Sequence, residues 1–178
     1  MIKDKIFQQR AFFKTQQTKD LSYRKSALKK LRSEIFKREK EICNALHKDF
    51  RKSEFEALVS ETQFVLAELS ELIKNLKNWA IPESVLSSLA NFPSTDKIYK
   101  DPYGSVLVIS PWNYPFQLAM VPLAGAIAAG NTVVVKPSEL TPNTSKIITE
   151  IIGSVFDENH VTSFEGGIDV SEKLLKEK

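Results

Sequence analysis

Apolar and polar positions split this chain into two unlike halves. Across residues 21–46, Leu21, Leu28, Leu31, Ile35, Ile42 and Leu46 recur at three-, four- and seven-residue spacing, which predicts one apolar stripe along a helix. Ser53 with Glu56 three residues on forms a capping box that opens a second helix. Its stripe is Phe55, Leu58, Val59, Thr62, Val65, Leu69, Ile73 and Leu76. A shorter helix carrying Phe7, Ala11 and Phe12 precedes both.

After residue 81 the pattern changes. Ile81 to Asp96, with Pro82, Pro93 and several serines, has no period and reads as an extended connector. Lys97-Ile98-Tyr99 follows as a short strand and Asp101-Pro102-Tyr103-Gly104 as a turn. From Pro102 to Val135, thirty-four residues carry no charge. The predicted order from there is strand 105–109, helix 115–129, strand 132–136, helix 142–156, strand 161–164 and helix 169–177. Strands that are apolar throughout, alternating with helices, indicate a parallel sheet covered on both faces. Pro115 suits the first turn of its helix, Gly130 suits the stop, and Pro122 predicts a kink or a slightly broken helix. The fold class is therefore α/β, with N-terminal helices (1–80), a connector (81–104) and a strand–helix sheet (105–178).

Composition narrows the function classes. Residues 1–80 carry 18 Lys+Arg against 11 Asp+Glu, and the remainder 7 against 11, for a net charge of +3. The basic surplus raises the question of nucleic acid. However, the cations alternate with acids opposite the apolar stripes, as on a solvated helical face. The uncharged stretch is long enough to span a bilayer, but Pro102, Pro111, Pro115, Pro122 and Gly130-Asn131 break it into short pieces, so no membrane span is expected. The start lacks the apolar core of a signal peptide, and the single cysteine fits a reducing compartment, so a cytoplasmic location is expected.

In parallel sheets ligands bind beyond the carboxyl ends of the strands. The first such end delivers Pro111-Trp112-Asn113 before a helix N-terminus, where backbone amides and the helix dipole favour an anion; Asn113 either donates to that anion or caps the helix. The second delivers Lys136 and Glu139, a cation and an acid suited to a ribose diol or an added phosphate, or else a surface ion pair. The third delivers Glu165-Gly166-Gly167, which permits either close backbone approach to a ligand or an ordinary turn. The glycine-rich phosphate loops of the common nucleotide-binding motifs are absent. Cys43 and His47, one helical turn apart, allow a thiolate–imidazole pair or two metal ligands, although Cys43 beside the apolar stripe fits a small buried hydrophobe. His160 reads as a loop residue, and no metal site is expected.

Pro111-Trp112-Asn113-Tyr114-Pro115-Phe116, Ala128-Ala129-Gly130-Asn131 and Val135-Lys136-Pro137-Ser138-Glu139, taken together, resemble the amino-terminal portion of an aldehyde dehydrogenase. The helical start, Tyr103-Gly104-Ser105-Val106 and Glu165-Gly166-Gly167 are most similar to the class 3, or fatty-aldehyde, branch. The resemblance covers nearly the whole chain and implies a truncated aldehyde dehydrogenase fold, the first half of a Rossmann-like sheet. By resemblance, Asn113 steadies the oxyanion of a cysteine thiohemiacetal, Lys136 and Glu139 contact the adenosine ribose of NAD or NADP, and Trp112, Ser138 and Gly166 line the cofactor. It implies oxidation of an aldehyde substrate to a carboxylic acid, and a homodimer for the full-length family member, with residues 81–104 as a bridging element. The family's catalytic domain, nucleophilic cysteine and general-base glutamate have no counterpart here, so the chain alone is expected to be inactive. The alternative is a non-catalytic nucleotide-binding or docking fragment, with the free edge of strand 105–109 available for pairing.

Overall fold

The computed structural model describes residues 2–177. Helices α1 (Ile2–Lys14), α2 (Leu21–Lys37), α3 (Glu39–Phe50), α4 (Glu54–Ala57) and α5 (Gln63–Trp79) come first. A small antiparallel hairpin follows, β1 (Glu83–Val85) with β2 (Asp96–Ile98). The strand–helix part is β3 (Ser105–Ile109), α6 (Gln117–Ala129), β4 (Thr132–Lys136), α7 (Pro142–Val155), β5 (Val161–Ser163) and α8 (Ile168–Leu175). The three strands pair in parallel in the order β3-β4-β5. The α/β reading and its element order therefore hold.

Side-chain alternation explains how the sheet is covered. Val106, Val108, Val133, Val135 and Val161 pack into the main core with α6 and α7, behind which lie α2, α3 and α5. Leu107 and Val134 point the other way and pack with Ile6 of α1 and Leu174 of α8. Central β4 is buried along its whole length, as a strand flanked and covered on both faces must be. No strand pairs with the outer edge of β3 among the described residues. No described helix is long and apolar enough to cross a membrane.

Several helical expectations need correction. The stripe over 21–46 runs through two helices, because Arg38 leaves helical geometry at φ −99° and ψ 14°. Of the stripe residues, Leu28, Leu31, Ile35, Ile42 and Leu46 are fully buried as expected, whereas Leu21, in the first turn of α2, is exposed. Further on, Phe55 and Val59 are exposed, whereas Ala57 and Glu61 are buried. A five-residue π-helical segment, Leu58–Thr62, inserts an extra residue into the turn and shifts the inward face. In α1, Phe7 is exposed and Ile6 and Gln9 face inward, the Gln9 amide donating to the Val133 carbonyl at 2.9 Å. The connector is not wholly irregular, since it contains the exposed hairpin. α6 is not broken at Pro122 but runs through it as one helix.

Two contacts lock the helical layer to the sheet layer. Gly130 ends α6 at φ +92°, a region open to glycine, and a Cβ there would lie 2.9 Å from the Arg24 guanidinium. Arg24 donates to the carbonyls of Thr18, Lys19 and Ala128. At α7, Thr141 makes no side-chain cap. Instead, the Asp49 carboxylate at the end of α3 accepts from the Asn143 and Thr144 amides at 3.2 and 2.8 Å, and from both their side chains. This is a helix cap supplied from another helix, and Asp49→Ala is expected to cost about 2 kcal/mol. A shift of the urea midpoint corresponding to under a few tenths of that value would contradict the assignment.

Some of the basic residues of the helical part are tied into the fold. Arg38 pairs with Glu41 and Glu150 at 2.6 Å each, Lys5 with Glu158 at 2.6 Å, and Arg32 donates to Ser70.

Candidate functional site

Strand register puts the three predicted loops on one edge. Ile109 is level with Lys136, and Val135 is level with Ser163. The ladder continues one step further on each side: the Ser110 amide donates to the Lys136 carbonyl at 3.1 Å, and the Phe164 amide donates to the Val135 carbonyl at 2.9 Å. The segments 110–116, 137–141 and 164–167 thus leave the sheet at its carboxyl rim.

At the end of β4, Lys136 is only 3% exposed, and its ammonium pairs with Glu139. Pro137 keeps Lys136 extended and the turn brings Glu139 back over it. The hydrogen bond from Lys136 holds the Glu139 carboxyl below the usual carboxylate range, while its side chain stays 44% exposed. The result is a buried cation that presents an ionised, solvent-facing acceptor. Ser138 is buried and serves the start of α7: its carbonyl accepts from Ser145 Oγ at 2.6 Å, and its hydroxyl accepts from the Leu140 amide at 3.3 Å.

At the end of β3, Trp112 and Asn113 are exposed. Asn113 does not cap α6, whose first turn has no side-chain cap from its own segment. The expectation that this helix N-terminus is open to an anion is also corrected. Glu61 fills it, one carboxylate oxygen accepting from the Phe116 and Gln117 amides at 3.0 and 2.9 Å. The other oxygen lies 2.5 Å from Lys52 Nζ, in a pair with both partners buried. Nearby in sequence, the Ser110 hydroxyl is buried and has no hydrogen-bond partner among the described residues.

At the end of β5, Gly166 adopts φ +144°, and a Cβ there would sit 2.4 Å from Val170 Cγ2 in the first turn of α8. The glycine is thus required by the local chain path. Glu165 is exposed.

The remaining candidates take structural roles. Burial, then Glu39 and Glu54, push the Cys43 thiol up to about 11, so a thiolate is disfavoured near neutral pH. His47 Nδ1 donates to the Lys52 carbonyl at 3.0 Å, away from any thiolate partnership. His160 does lie in a turn, but it is buried among Phe12, Tyr23 and Phe156, with Tyr23 Oη 3.2 Å from Nδ1. Among the described residues no group of three or more His, Cys, Asp or Glu could hold a metal ion. Sequence reading passed over Lys52, Glu61 and Ser110. The one available signal for Glu61 was an acid adjoining an apolar stripe, and the π-helical shift that turns it inward left no mark in the spacing.

Comparison with known proteins extends this picture. The chain matches the aldehyde dehydrogenase family over residues 2–178. It is 46% identical over 175 residues to 4,4'-diaponeurosporen-aldehyde dehydrogenase of Staphylococcus aureus, covering 98% of this chain and 38% of that protein. It is 40% identical to aldehyde dehydrogenase family 3 member B1 of Mus musculus, covering 98% of this chain and 37% of that protein. Among solved structures, the substrate-bound state of Staphylococcus aureus AldH superposes with a TM-score of 0.96 at 46% identity, over 98% of this chain and 38% of that one. The chain therefore spans under two-fifths of the length of these relatives. The matched residues, the parallel sheet and its helical layer together show that the chain belongs to the aldehyde dehydrogenase family.

Proposed function

We propose that this chain forms the cofactor-holding front of an NAD(P)-dependent aldehyde dehydrogenase that oxidises aldehydes to carboxylic acids. The observation that carries this reading is the Lys136–Glu139 pair at the carboxyl end of the central parallel strand, on the same rim as the Trp112–Asn113 loop. The residues fit a dinucleotide. Glu139 offers an ionised, exposed acceptor to a ribose diol, and Lys136 steadies that acceptor from beneath. The unpartnered Ser110 hydroxyl and the exposed Trp112 ring add a polar contact and a flat wall. When bound, the nicotinamide would supply the hydride acceptor.

The chain's own contribution to the chemistry is then positional. Asn113, whose side chain makes no hydrogen bond among the described residues, offers its amide N–H to an oxygen that gains negative charge. Ser138 holds the Lys136-to-Glu139 turn in shape through α7, and Gly166 sets the path of the third loop. Cys43 does not meet the need for an activated thiolate, so the nucleophile is assigned to residues other than Cys43. Residues 81–104 are assigned the bridging role between subunits, consistent with a hairpin whose strand residues are all exposed.

The test is a cofactor titration followed by tryptophan fluorescence, in a Trp79→Phe background that leaves Trp112 as the reporter. Saturable quenching by NAD or NADP is expected, with Lys136→Ala weakening it about tenfold, the loss of one charge-assisted contact. Quenching that is absent, or indifferent to Lys136→Ala, would remove the cofactor assignment.

A further inference from the structure

The loop that carries Trp112 and Asn113 has few attachments of its own, yet both of its ends are fixed. At its start, the Ser110 amide is bonded to β4. At its end, everything converges on two buried charges. Glu61 is wholly buried and reaches the Phe116 and Gln117 amides, the first two N–H groups after Pro115. Lys52 binds the second Glu61 oxygen, and its ammonium also sits 4.5 Å from the centre of the Tyr114 ring, within cation–π range. The pair therefore grips the chain on both sides of Pro115, immediately after Asn113.

A buried ion pair is a costly way to fill space, and an apolar pair of similar volume is often as stable. What an apolar pair cannot do is accept from two helix-start amides and hold an aromatic face by charge. We infer that Lys52 and Glu61 are positioning residues, which set the direction of the Trp112–Asn113 loop through Tyr114 and the first turn of α6 without touching a ligand themselves. This rests on the reading of that loop as part of the cofactor and oxyanion site.

The experiment uses the whole chain with Trp79→Phe, so that Trp112 alone reports. The double variant Lys52→Met with Glu61→Leu keeps the volume apolar and neutral, and Lys52→Arg is the conservative comparison. The double variant is expected to keep its far-UV circular dichroism. Trp112 anisotropy should fall, exchange of the Phe116 and Gln117 amides should quicken more than tenfold, and NAD affinity should drop several-fold; Lys52→Arg should restore all three. If the double variant does not fold, Tyr114→Leu, at a half-exposed site, reads the same Trp112 anisotropy. Unchanged anisotropy in a folded double variant, or in Tyr114→Leu, overturns the inference. If the parent chain binds no NAD, the cofactor reading fails, while anisotropy and amide exchange still decide the positioning role.

Discussion

Glu61→Ala lowers the unfolding free energy by an expected 3–5 kcal/mol, the range for removing one partner of a buried ion pair. Three losses coincide at this position. Lys52, itself buried, keeps a charge with no counter-ion, and the Phe116 and Gln117 amides lose their acceptor. The N-terminus of α6 also loses the negative charge that its dipole favours. Against a total stability of about 5–15 kcal/mol for a typical domain, that is a large fraction. Guanidinium denaturation followed by circular dichroism measures it. The Lys52→Met, Glu61→Leu double variant should recover only the part due to the unpaired Lys52 charge, because the Phe116 and Gln117 amides still lack their acceptor. A single variant within about 1 kcal/mol of the parent, at the resolution of such extrapolations, would show that water or rearrangement already satisfies these groups.

The second large effect is acid sensitivity centred on His160. Burial among Phe12, Tyr23 and Phe156 lowers its pKa from 6.5 to about 4, only partly opposed by the Asn131 backbone and the Asp157 charge. The unfolded chain takes up a proton on this histidine below pH 6.5, whereas the folded chain does not until about pH 4. Between those values the unfolded state binds more protons, so stability falls as pH falls. Above pH 6.5 the contribution is flat. At 1.36 kcal/mol per unit, the loss attributable to this one residue approaches about 3 kcal/mol by pH 4. Denaturation midpoints at pH 7.5, 6.5, 5.5 and 4.5 should show it, and His160→Gln, which cannot titrate, should flatten that part of the profile. Parallel profiles for the two proteins would refute the assignment.

Local sequence carried the strand–helix part almost to the residue. Ser105–Ile109 and Thr132–Lys136 are strands as expected, because an uncharged run cut by Pro111, Pro115 and Gly130-Asn131 leaves few ways to satisfy its backbone. The parallel rim followed from that order, and Lys136 and Glu139 meet because they lie three positions apart across a turn. The helical half was legible as a set of core residues but not as a set of elements. Arg38 splits one stripe into two helices, and the π-helical segment at 58–62 turns Phe55 and Val59 outward. Neither event changes the apolar periodicity enough to be seen.

The amino-acid sequence by itself determined the α/β class, the three β segments, the family resemblance and the residues at the strand ends, since each depends on neighbours close along the chain. Only the tertiary structure decided which charge meets which helix. Asp49 and Glu61 cap α7 and α6 from 94 and 55 residues away, and His160 is drawn into an aromatic box with Tyr23 from 137 residues away. Buried polar groups must find partners wherever the packing places them, and that placement is a property of the folded layers rather than of any local pattern.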